Sequence, residues 1–284
     1  MAVKRVGIVG SGIMGSGIAE VAAKAGFEVV LRSRAQSTAD AMVAGLEKSL
    51  AKQVDKGKLD ATDRDAVLGR VRAVTDLHEL AECDLVIESI VEDLAVKKHL
   101  FTELDRLCPE HTILATNTST LPVVEMAMNT GRPDKVCGIH FFNPAPMMAL
   151  VEVVRSITSS DATIDEATAF AESCGKNAVL VRDQAGFIVN ALLFPYLNNA
   201  VRLLDAGVAT RDDIDAAMQG GCNFPMGPLA LLDLVGLDTS LAILDALYAE
   251  FRDPNYSPAP LLRRMVSAER LGRKTGQGFY EYKR

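Results

Sequence analysis

The chain has 284 residues, 49% of them hydrophobic and 24% charged, and its formal net charge at pH 7 is −7. This length predicts about two domains with a sizeable core, and the acidic balance argues against non-specific binding to nucleic acid. No apolar run approaches the roughly 20 residues of a membrane-spanning helix, and the five scattered cysteines have neither disulfide nor metal-ligand spacing, so we expect a cytoplasmic protein without a bound metal or a membrane partner.

The first predicted elements are a strand, a glycine-rich turn and a helix in direct succession. Residues 6–9 are a short apolar run, and a helical pattern continues from residue 18. Between them stands a G-x-G-x-x-G fingerprint, whose glycines permit a tight turn, close approach of the backbone to a pyrophosphate and close helix packing. We therefore predict a dinucleotide site with contacts from Gly10, Ser11, Gly12, Ile13, Met14 and Gly15.

The end of the second predicted strand, which covers residues 27–31, decides which dinucleotide fits. NAD sites usually carry Asp or Glu there, which accepts hydrogen bonds from the ribose 2′-hydroxyl. Here the chain reads Arg32, Ser33, Arg34 and has no carboxylate. Two guanidinium groups can pair with the 2′-phosphate of NADP, so the sequence favours NADP over NAD. The alternative is that both arginines are solvated and Ser33 tolerates NAD.

Apolar runs and helical stretches alternate along the chain up to about residue 182. The apolar runs are residues 6–9, 29–31, 85–87, 113–115, 136–139, 151–154 and 178–181, with helices such as 39–55 and 97–107 between them. Continuous apolar strands joined by helices indicate a parallel sheet that is covered on both faces. We therefore predict an α/β domain with a Rossmann-type doubly wound sheet over residues 1–184.

After a boundary at residues 183–186 the pattern becomes helical. Helices are predicted at residues 187–204, 211–218, 229–251 and 260–268, separated by glycine and proline. Residues 185–284 are therefore predicted to form an all-helical C-terminal domain. The stretch 229–247 carries too many aliphatic residues for one buried stripe, which favours a subunit interface; packing within the domain is the alternative.

Among the four histidines, His140 is the candidate acid–base group. Oxidation of a secondary alcohol is best served by a base with a pKa near neutrality, which favours histidine. His78, His99 and His111 are expected to be solvated, whereas His140 ends an apolar strand at the edge where doubly wound sheets bind ligands. Glu152 lies in the next apolar strand, where a carboxylate is costly to bury without a partner. We therefore predict a His140–Glu152 pair.

Seven ordered motifs resemble those of one enzyme family. They are GSGIMG (10–15), ESIVED (88–93), TNTS (116–119), HFFNP (140–144), GFIVN (186–190), PMGP (225–228) and GRKTGQGFY (272–280). Together, over essentially the whole chain, they resemble the short-chain L-3-hydroxyacyl-CoA dehydrogenases. The resemblance implies hydride transfer between substrate C3 and a nicotinamide, with acetoacetyl-CoA and 3-hydroxybutyryl-CoA as substrates, in a homodimer formed through the helical domain.

The resemblance also implies catalytic roles for four residues. It makes His140 and Glu152 the catalytic pair, and it gives Ser119 and Asn190 hydrogen bonds to the substrate oxygens. Where the family commonly has histidine before the PMGP motif, this chain has Phe224. That departure affects only local packing in our interpretation.

Five further residues are implied as cofactor contacts by the same resemblance. Asn117 and Asn143 lie in motifs that approach the nicotinamide side of the cofactor. Glu92, Lys97 and Lys274 are implied as additional contacts. The family's acidic residue after the second strand is absent here, which keeps the choice between NAD and NADP open.

A basic stripe is the candidate site for the phosphates of coenzyme A. Lys48, Lys52 and Lys56 recur at every fourth position, so one helix face carries all three, with Ser49 beside them. The resemblance implies that Ser49 and Lys56 hold coenzyme A, and we include Lys52 in this site. The alternative is a solvated charged stripe.

Two other functions stay open at this point. A dehydrogenase acting on a free hydroxy acid would hold a carboxylate with Lys or Arg and would not need the basic stripe. A non-catalytic nucleotide-binding member of the fold would not need the set His140, Glu152, Ser119 and Asn190.

Overall fold

In the computed structural model, which describes residues 3–283, the chain folds as two compact units that meet in the sequence between Asp183 and Gln184. The first unit is a sheet flanked by helices, and the second is built from helices. The predicted fold class is therefore confirmed.

The described part of the first unit contains one eight-stranded sheet. Its strands are β1 (Arg5–Val9), β2 (Glu28–Arg32), β3 (Val71–Val74), β4 (Leu85–Glu88), β5 (Ile113–Thr116), β6 (Val136–Phe141), β7 (Leu150–Arg155) and β8 (Asn177–Arg182). Their order across the sheet is β3-β2-β1-β4-β5-β6-β7-β8. The helices of this unit are α1 (Ile13–Lys24), α2 (Gln36–Asp55), α3 (Ala61–Gly69), α4 (Leu94–Leu107), α5 (Val123–Ala127) and α6 (Asp161–Ser173).

The edge strand β3 is absent from the strands predicted from the sequence. Its four residues, Val-Arg-Ala-Val, include a charged side chain, and only Val74 is buried. A strand at the edge of a sheet does not need the continuous apolar run that marks the central strands. A pattern of four residues is too short to distinguish such a strand from a loop.

The expectation of a wholly parallel sheet is wrong for one pair of strands. Strand β7 runs antiparallel to β6, whereas all the other neighbouring strands are parallel. Antiparallel neighbours need no helical crossover, and residues 142–149 connect these two strands directly. The connection brings position 140 opposite position 152.

The central strands are buried on both faces. Every residue of β4, β5 and β6 is buried, including the polar side chains at their carboxyl ends. A fully buried Val, Leu or Ile side chain contributes about 1.5–3 kcal/mol relative to an exposed one. The buried apolar residues of these strands therefore hold the polar side chains at the strand ends in fixed positions.

The described part of the second unit packs five helices around its own apolar core. They are α7 (Val189–Asp205), α8 (Arg211–Cys222), α9 (Pro228–Val235), α10 (Leu237–Phe251) and α11 (Pro260–Ser267). The prediction of one helix over residues 229–251 is wrong, because Gly236 separates α9 from α10 with a φ of +101°. Residues that carry a side chain rarely adopt such a positive φ, so glycine is favoured at this break. Across residues 3–283, no helix is both long and apolar enough to cross a membrane.

Candidate active site

His140 and Glu152 face each other across the antiparallel pair β6–β7. The strand register pairs the two residues directly, and the distance from His140 Nδ1 to Glu152 Oε2 is 2.7 Å. Glu152 is 0% exposed and His140 is 4% exposed. The structure thus gives the buried carboxylate the partner that its burial requires.

The second ring nitrogen of His140 faces Ser119. The distance from Ser119 Oγ to His140 Nε2 is 3.2 Å. Because a carboxylate can only accept hydrogen bonds, the Glu152 contact places the proton of the neutral ring on Nδ1 and leaves Nε2 as the acceptor. The Phe142 ring lies 4.5 Å from the imidazole, centre to centre. The arrangement therefore presents an oriented base whose outer nitrogen meets a serine hydroxyl.

Asn117 and Asp183 fix the two ends of the loop that carries Ser119. The Asn117 N–H donates to the Glu88 carbonyl at 2.8 Å, and the Asn117 side-chain oxygen accepts from the Phe141 N–H at 2.8 Å. At the other end, the Asp183 carboxylate accepts from the first two amides of α5 at 3.0 and 2.8 Å. Burial raises the pKa of Asp183, although these two bonds favour its charged form.

Lys97 forms a second buried ion pair close to this loop. Its Nζ lies 2.7 Å from Glu88 Oε1 and 3.1 Å from Glu92 Oε2. Glu88 is fully buried, and it also accepts from the Ile90 N–H and the Thr116 hydroxyl at 2.6 and 2.7 Å. The Lys97 ammonium thus compensates the charge of the fully buried Glu88 carboxylate, and the partly exposed Glu92 carboxylate adds a second negative charge beside it.

The sequence analysis did not predict the Glu88–Lys97 ion pair, although the sequence contains two signals for it. Glu88 ends the apolar strand β4, which is the same pattern that pointed to Glu152. Lys97 stands three, four and seven positions before Leu100, Phe101 and Leu104, on the buried face of α4. An ionisable residue at each place predicts a partner for the other.

Glu92 joins the second ion pair to the Ser119 loop. Its carboxylate accepts from the Ser119 N–H at 2.9 Å and from the Thr118 hydroxyl. Burial opposes ionisation of Glu92, but the charge of Lys97 and the bonds from Thr118 and Ser119 outweigh it and hold the pKa of Glu92 below its usual value.

The glycine-rich turn between β1 and α1 has the geometry of a phosphate cradle. Gly10 has a φ of +134°, and a Cβ at Gly10 or Gly15 would lie only 2.1 Å from a backbone oxygen. A Cβ at Gly12 would meet no described atom within 4 Å, and α1 begins directly after it with no acidic residue in its first turn. Open space at an uncapped helix N-terminus fits a pyrophosphate, so the residues present fit a dinucleotide. Ser11, Ile13 and Met14 lie in the same turn and first helical residues, and Ile13 is exposed.

The end of β2 lies directly beside this cradle, because the Gly10 N–H donates to the Arg32 carbonyl at 3.1 Å. Ser33 is buried, and its hydroxyl bonds to the Thr38 hydroxyl. Arg32 is half-buried with its Nε donating to the Thr75 carbonyl at 3.2 Å, while the Arg34 side chain is exposed.

The predicted basic stripe lies on α2 and its C-terminal cap. Lys48, Lys52 and Lys56 are all exposed. Ser49 is half-buried, and its hydroxyl donates to Glu20 Oε2 at 2.9 Å. Glu20 is a buried residue of α1, so this bond connects the stripe to the helix that follows the glycine turn.

The remaining predicted site residues lie in separate parts of the chain. Asn143 is exposed in the connection between β6 and β7. Asn190 is buried in the first turn of α7, in the second unit. Lys274 is also in the second unit, where its Nζ pairs with Asp238 at the start of α10. Within the described residues no group of three or more His, Cys, Asp or Glu side chains is arranged to hold a metal ion.

The three other histidines are solvated, as predicted. The side chains of His78, His99 and His111 are 75%, 77% and 44% exposed, respectively. Each lies near a carboxylate on the surface, where such pairs contribute little. His140 alone among the four is buried.

Comparison with known proteins identifies similar sequences over the whole chain. Residues 5–184 match the family model of the 3-hydroxyacyl-CoA dehydrogenase NAD binding domain, and residues 186–282 match that of the 3-hydroxyacyl-CoA dehydrogenase C-terminal domain. The chain is 49% identical over 278 residues to the 3-hydroxybutyryl-CoA dehydrogenase of Clostridioides difficile, with 98% of this chain and 99% of that protein covered. It is 48% identical over 283 residues to the 3-hydroxybutyryl-CoA dehydrogenase of Mycobacterium tuberculosis, with 99% of each covered.

A solved structure shows the same similarity in three dimensions. The crystal structure of (S)-3-hydroxybutyryl-CoA dehydrogenase from Ralstonia eutropha superposes with a TM-score of 0.97 at 41% identity and covers 100% of both chains. The similarity therefore extends over both units and is not restricted to the dinucleotide-binding part.

Proposed function

The chain belongs to the 3-hydroxyacyl-CoA dehydrogenase family, and we propose that it is an oxidoreductase that interconverts 3-hydroxybutyryl-CoA and acetoacetyl-CoA with a nicotinamide cofactor. The observation that carries this proposal is the buried His140–Glu152 pair, with an Nδ1–Oε2 distance of 2.7 Å and Nε2 turned toward Ser119. Relatives that act on the same substrate are similar over the whole chain.

The chain's own contribution to the reaction is to hold and move a proton. During oxidation, His140 Nε2 takes the proton of the substrate hydroxyl while the C–H bond at C3 breaks. Glu152 holds the Nδ1 proton throughout and stabilises the imidazolium that forms. A nicotinamide cofactor held at the cradle of Gly10, Gly12 and Gly15 would supply the hydride acceptor for substrate C3 in oxidation and the hydride donor in reduction. Ser119 and Asn190 position the substrate oxygens by hydrogen bonding.

The decisive experiment is reduction of acetoacetyl-CoA, measured in parallel with NADH and NADPH by the absorbance of the reduced nicotinamide. We expect turnover with the thioester and none with free acetoacetate. Turnover of the free acid at a comparable rate would favour the hydroxy acid dehydrogenase, and absence of turnover with both would favour the non-catalytic alternative.

We propose NADP as the preferred cofactor. Support comes from the exposed Arg34 and the half-buried Arg32 on either side of Ser33, beside the glycine cradle, with no carboxylate at the end of β2. Ser33→Asp should shift kcat/KM toward NADH, since a carboxylate repels the 2′-phosphate and accepts from the 2′-hydroxyl. A wild-type enzyme that already uses NADH far better than NADPH would contradict the preference. Asn117, Asn143, Glu92, Lys97 and Lys274 stay predictions as cofactor contacts.

We propose that the exposed stripe of Lys48, Lys52 and Lys56, with Ser49, holds the phosphates of coenzyme A. Because the positive charge of the stripe complements those phosphates, Lys52→Glu/Lys56→Glu should raise KM for acetoacetyl-CoA and leave cofactor affinity unchanged. An unchanged KM would refute the stripe as a coenzyme A site.

We also propose that the enzyme is a cytoplasmic homodimer that associates through its helical unit. Three apolar side chains of that unit, Leu192, Val208 and Leu234, are 72%, 67% and 49% exposed, and exposed apolar patches mark association surfaces. The five free thiols fit a reducing compartment. Light scattering with size-exclusion chromatography should give twice the chain mass, and Leu192→Glu should shift the mass toward that of one chain.

A further inference from the structure

The connection between β6 and β7 carries Asn143, a predicted cofactor contact, on an exposed loop. All but one of the residues at positions 143–149 are exposed. Their backbone turns tightly where the Pro144 carbonyl accepts the Met147 and Met148 N–H groups at 2.9 and 3.1 Å. A loop presents a binding side chain at a fixed place only if neighbouring groups hold its backbone.

Packing against α1 holds one side of this turn. Ala145 is 3% exposed, and a Cβ at Gly17 of α1 would lie 3.2 Å from the Ala145 Cβ and 3.3 Å from Pro146 Cδ. Contact between carbon atoms is optimal at about 3.5–4.0 Å, so glycine is the residue that lets the helix approach the turn this closely. Packing does not, however, satisfy the carbonyl groups of the turn.

Lys176 supplies donors to two of these carbonyl groups. Its Nζ donates to the Ala145 carbonyl at 2.7 Å and to the Met148 carbonyl at 2.8 Å. The next residue, Asn177, begins β8 and donates its N–H to the Ala149 carbonyl at 2.7 Å. Hydrogen bonds from a charged donor are roughly twice as strong as neutral ones. The ammonium therefore ties both ends of the turn to the start of β8.

Resting on the proposed function, we infer that Lys176 is a positioning residue that holds the turn over residues 144–148 and thereby fixes Asn143 toward the nicotinamide half of the cofactor. Asn143 directly precedes this turn, so a shift of the turn moves the amide. The predicted pyrophosphate contacts come from a different segment, residues 10–15. Loss of the lysine contacts should therefore weaken binding of the nicotinamide half and leave the rest of the dinucleotide bound as before.

Two ligands separate the halves of the cofactor. Lys176→Met keeps a side chain of similar length and removes its donors. We expect the Kd of NADPH, measured by calorimetric titration, to rise about tenfold, which corresponds to about 1.4 kcal/mol. The Kd of 2′-phospho-ADP-ribose, which is NADP without its nicotinamide, should change by less than about twofold. For an enzyme that uses NADH, NADH and ADP-ribose form the corresponding pair.

A conservative variant tests whether the donors are responsible. Lys176→Arg keeps a positive charge and several N–H donors, and its NADPH Kd should stay within about threefold of wild type. Lys98→Met is the matched control, since Lys98 is also half-buried and its Nζ lies 2.8 Å from Glu125; it should leave both Kd values unchanged. Far-UV circular dichroism checks that Lys176→Met is folded, and Lys176→Gln takes its place if it is not.

A double-mutant cycle with Asn143→Ala tests whether the lysine acts through the amide. Asn143→Ala should itself raise the NADPH Kd without changing that of 2′-phospho-ADP-ribose. Once the amide is absent, adding Lys176→Met should raise the NADPH Kd by no more than about twofold further, because the two changes act on one interaction.

An unchanged NADPH Kd in Lys176→Met or in Asn143→Ala would overturn the inference, as would a Lys176→Arg variant that binds as weakly as Lys176→Met. Equal weakening of both ligands, losses that multiply fully in the double variant, or unfolding of both Lys176→Met and Lys176→Gln would also overturn it, since the lysine would then support the domain as a whole. In each of these cases the wild-type enzyme turns over acetoacetyl-CoA, so the proposed function stands. A wild type without turnover would refute the proposed function and this inference together.

Discussion

The sheet buries two ion pairs near its carboxyl edge, and they differ in what they leave accessible. The side chains of His140 and Glu152 are 5% and 1% exposed, and those of Lys97 and Glu88 are 1% and 0% exposed. Burial alone therefore does not distinguish them. His140 keeps one ring nitrogen facing a serine hydroxyl, whereas Lys97 is enclosed by two carboxylates.

The difference between the two pairs shows which buried charges can do chemistry. Histidine gains and loses a proton near neutral pH, whereas the ordinary pKa of lysine is about 10.4. A hydroxyl at the outer nitrogen is a group that a substrate hydroxyl can replace, but a pair of ionised carboxylates is not. We therefore interpret the His140–Glu152 pair as reactive and the Lys97–Glu88 pair as support.

The largest effect is expected from a substitution in the His140–Glu152 pair. If that substitution had no effect on turnover, the two buried pairs could no longer be distinguished as reactive and supporting. His140→Ala should lower kcat for acetoacetyl-CoA reduction by about 10²–10⁴, because it removes the group that we propose exchanges the hydroxyl proton. Steady-state assays with saturating cofactor measure this loss. His99→Ala is the control, since that side chain is exposed, and its kcat should equal that of wild type. Wild-type turnover by His140→Ala would remove the histidine from the mechanism.

The second effect concerns the supporting pair, and it is a change in stability instead of rate. Lys97→Met leaves the buried Glu88 carboxylate without its cation, which should lower the free energy of unfolding by about 3–5 kcal/mol. Urea denaturation followed by circular dichroism measures it. The neighbouring Lys98→Met breaks a partly exposed pair with Glu125 and should change stability by less than about 1 kcal/mol. Equal stabilities for the two variants would mean that the buried pair contributes no more than a surface pair.

The smallest effect concerns Glu92, which connects the two pairs. The pKa of Glu92 is lowered in the folded state, so its ionised form contributes stability above its unfolded pKa, and this contribution is lost as the pH falls through the folded pKa. Glu92→Gln should therefore reduce the loss of stability below about pH 4.3. Urea denaturation at neutral and acidic pH compares the two proteins. Because the Glu92 side chain is 40% exposed, we expect the two proteins to differ in unfolding free energy by at most about 1 kcal/mol.

The sequence predicted the parts of the structure that depend on local pattern. The glycine turn and the central strands have sequence patterns that are compatible with few other local structures. The lone carboxylate of Glu152 within an apolar strand indicated that it has a buried partner. The antiparallel β6–β7 pair could not be predicted, because a continuous apolar run gives no strand direction. The contacts around Glu92 depend on side chains from β4, α4 and the loop after β5, which only the tertiary structure brings together.

The direct connection between β6 and β7 has a consequence for how the reactive pair forms. His140 and Glu152 are 12 positions apart in the chain, whereas Val6 and Leu85, paired between β1 and β4, are 79 positions apart. Closing the shorter loop costs about 1.6 kcal/mol less chain entropy. The imidazole and its carboxylate therefore meet through one of the least costly long-range closures of the sheet, and folding can assemble them before the parallel strands to either side are in register.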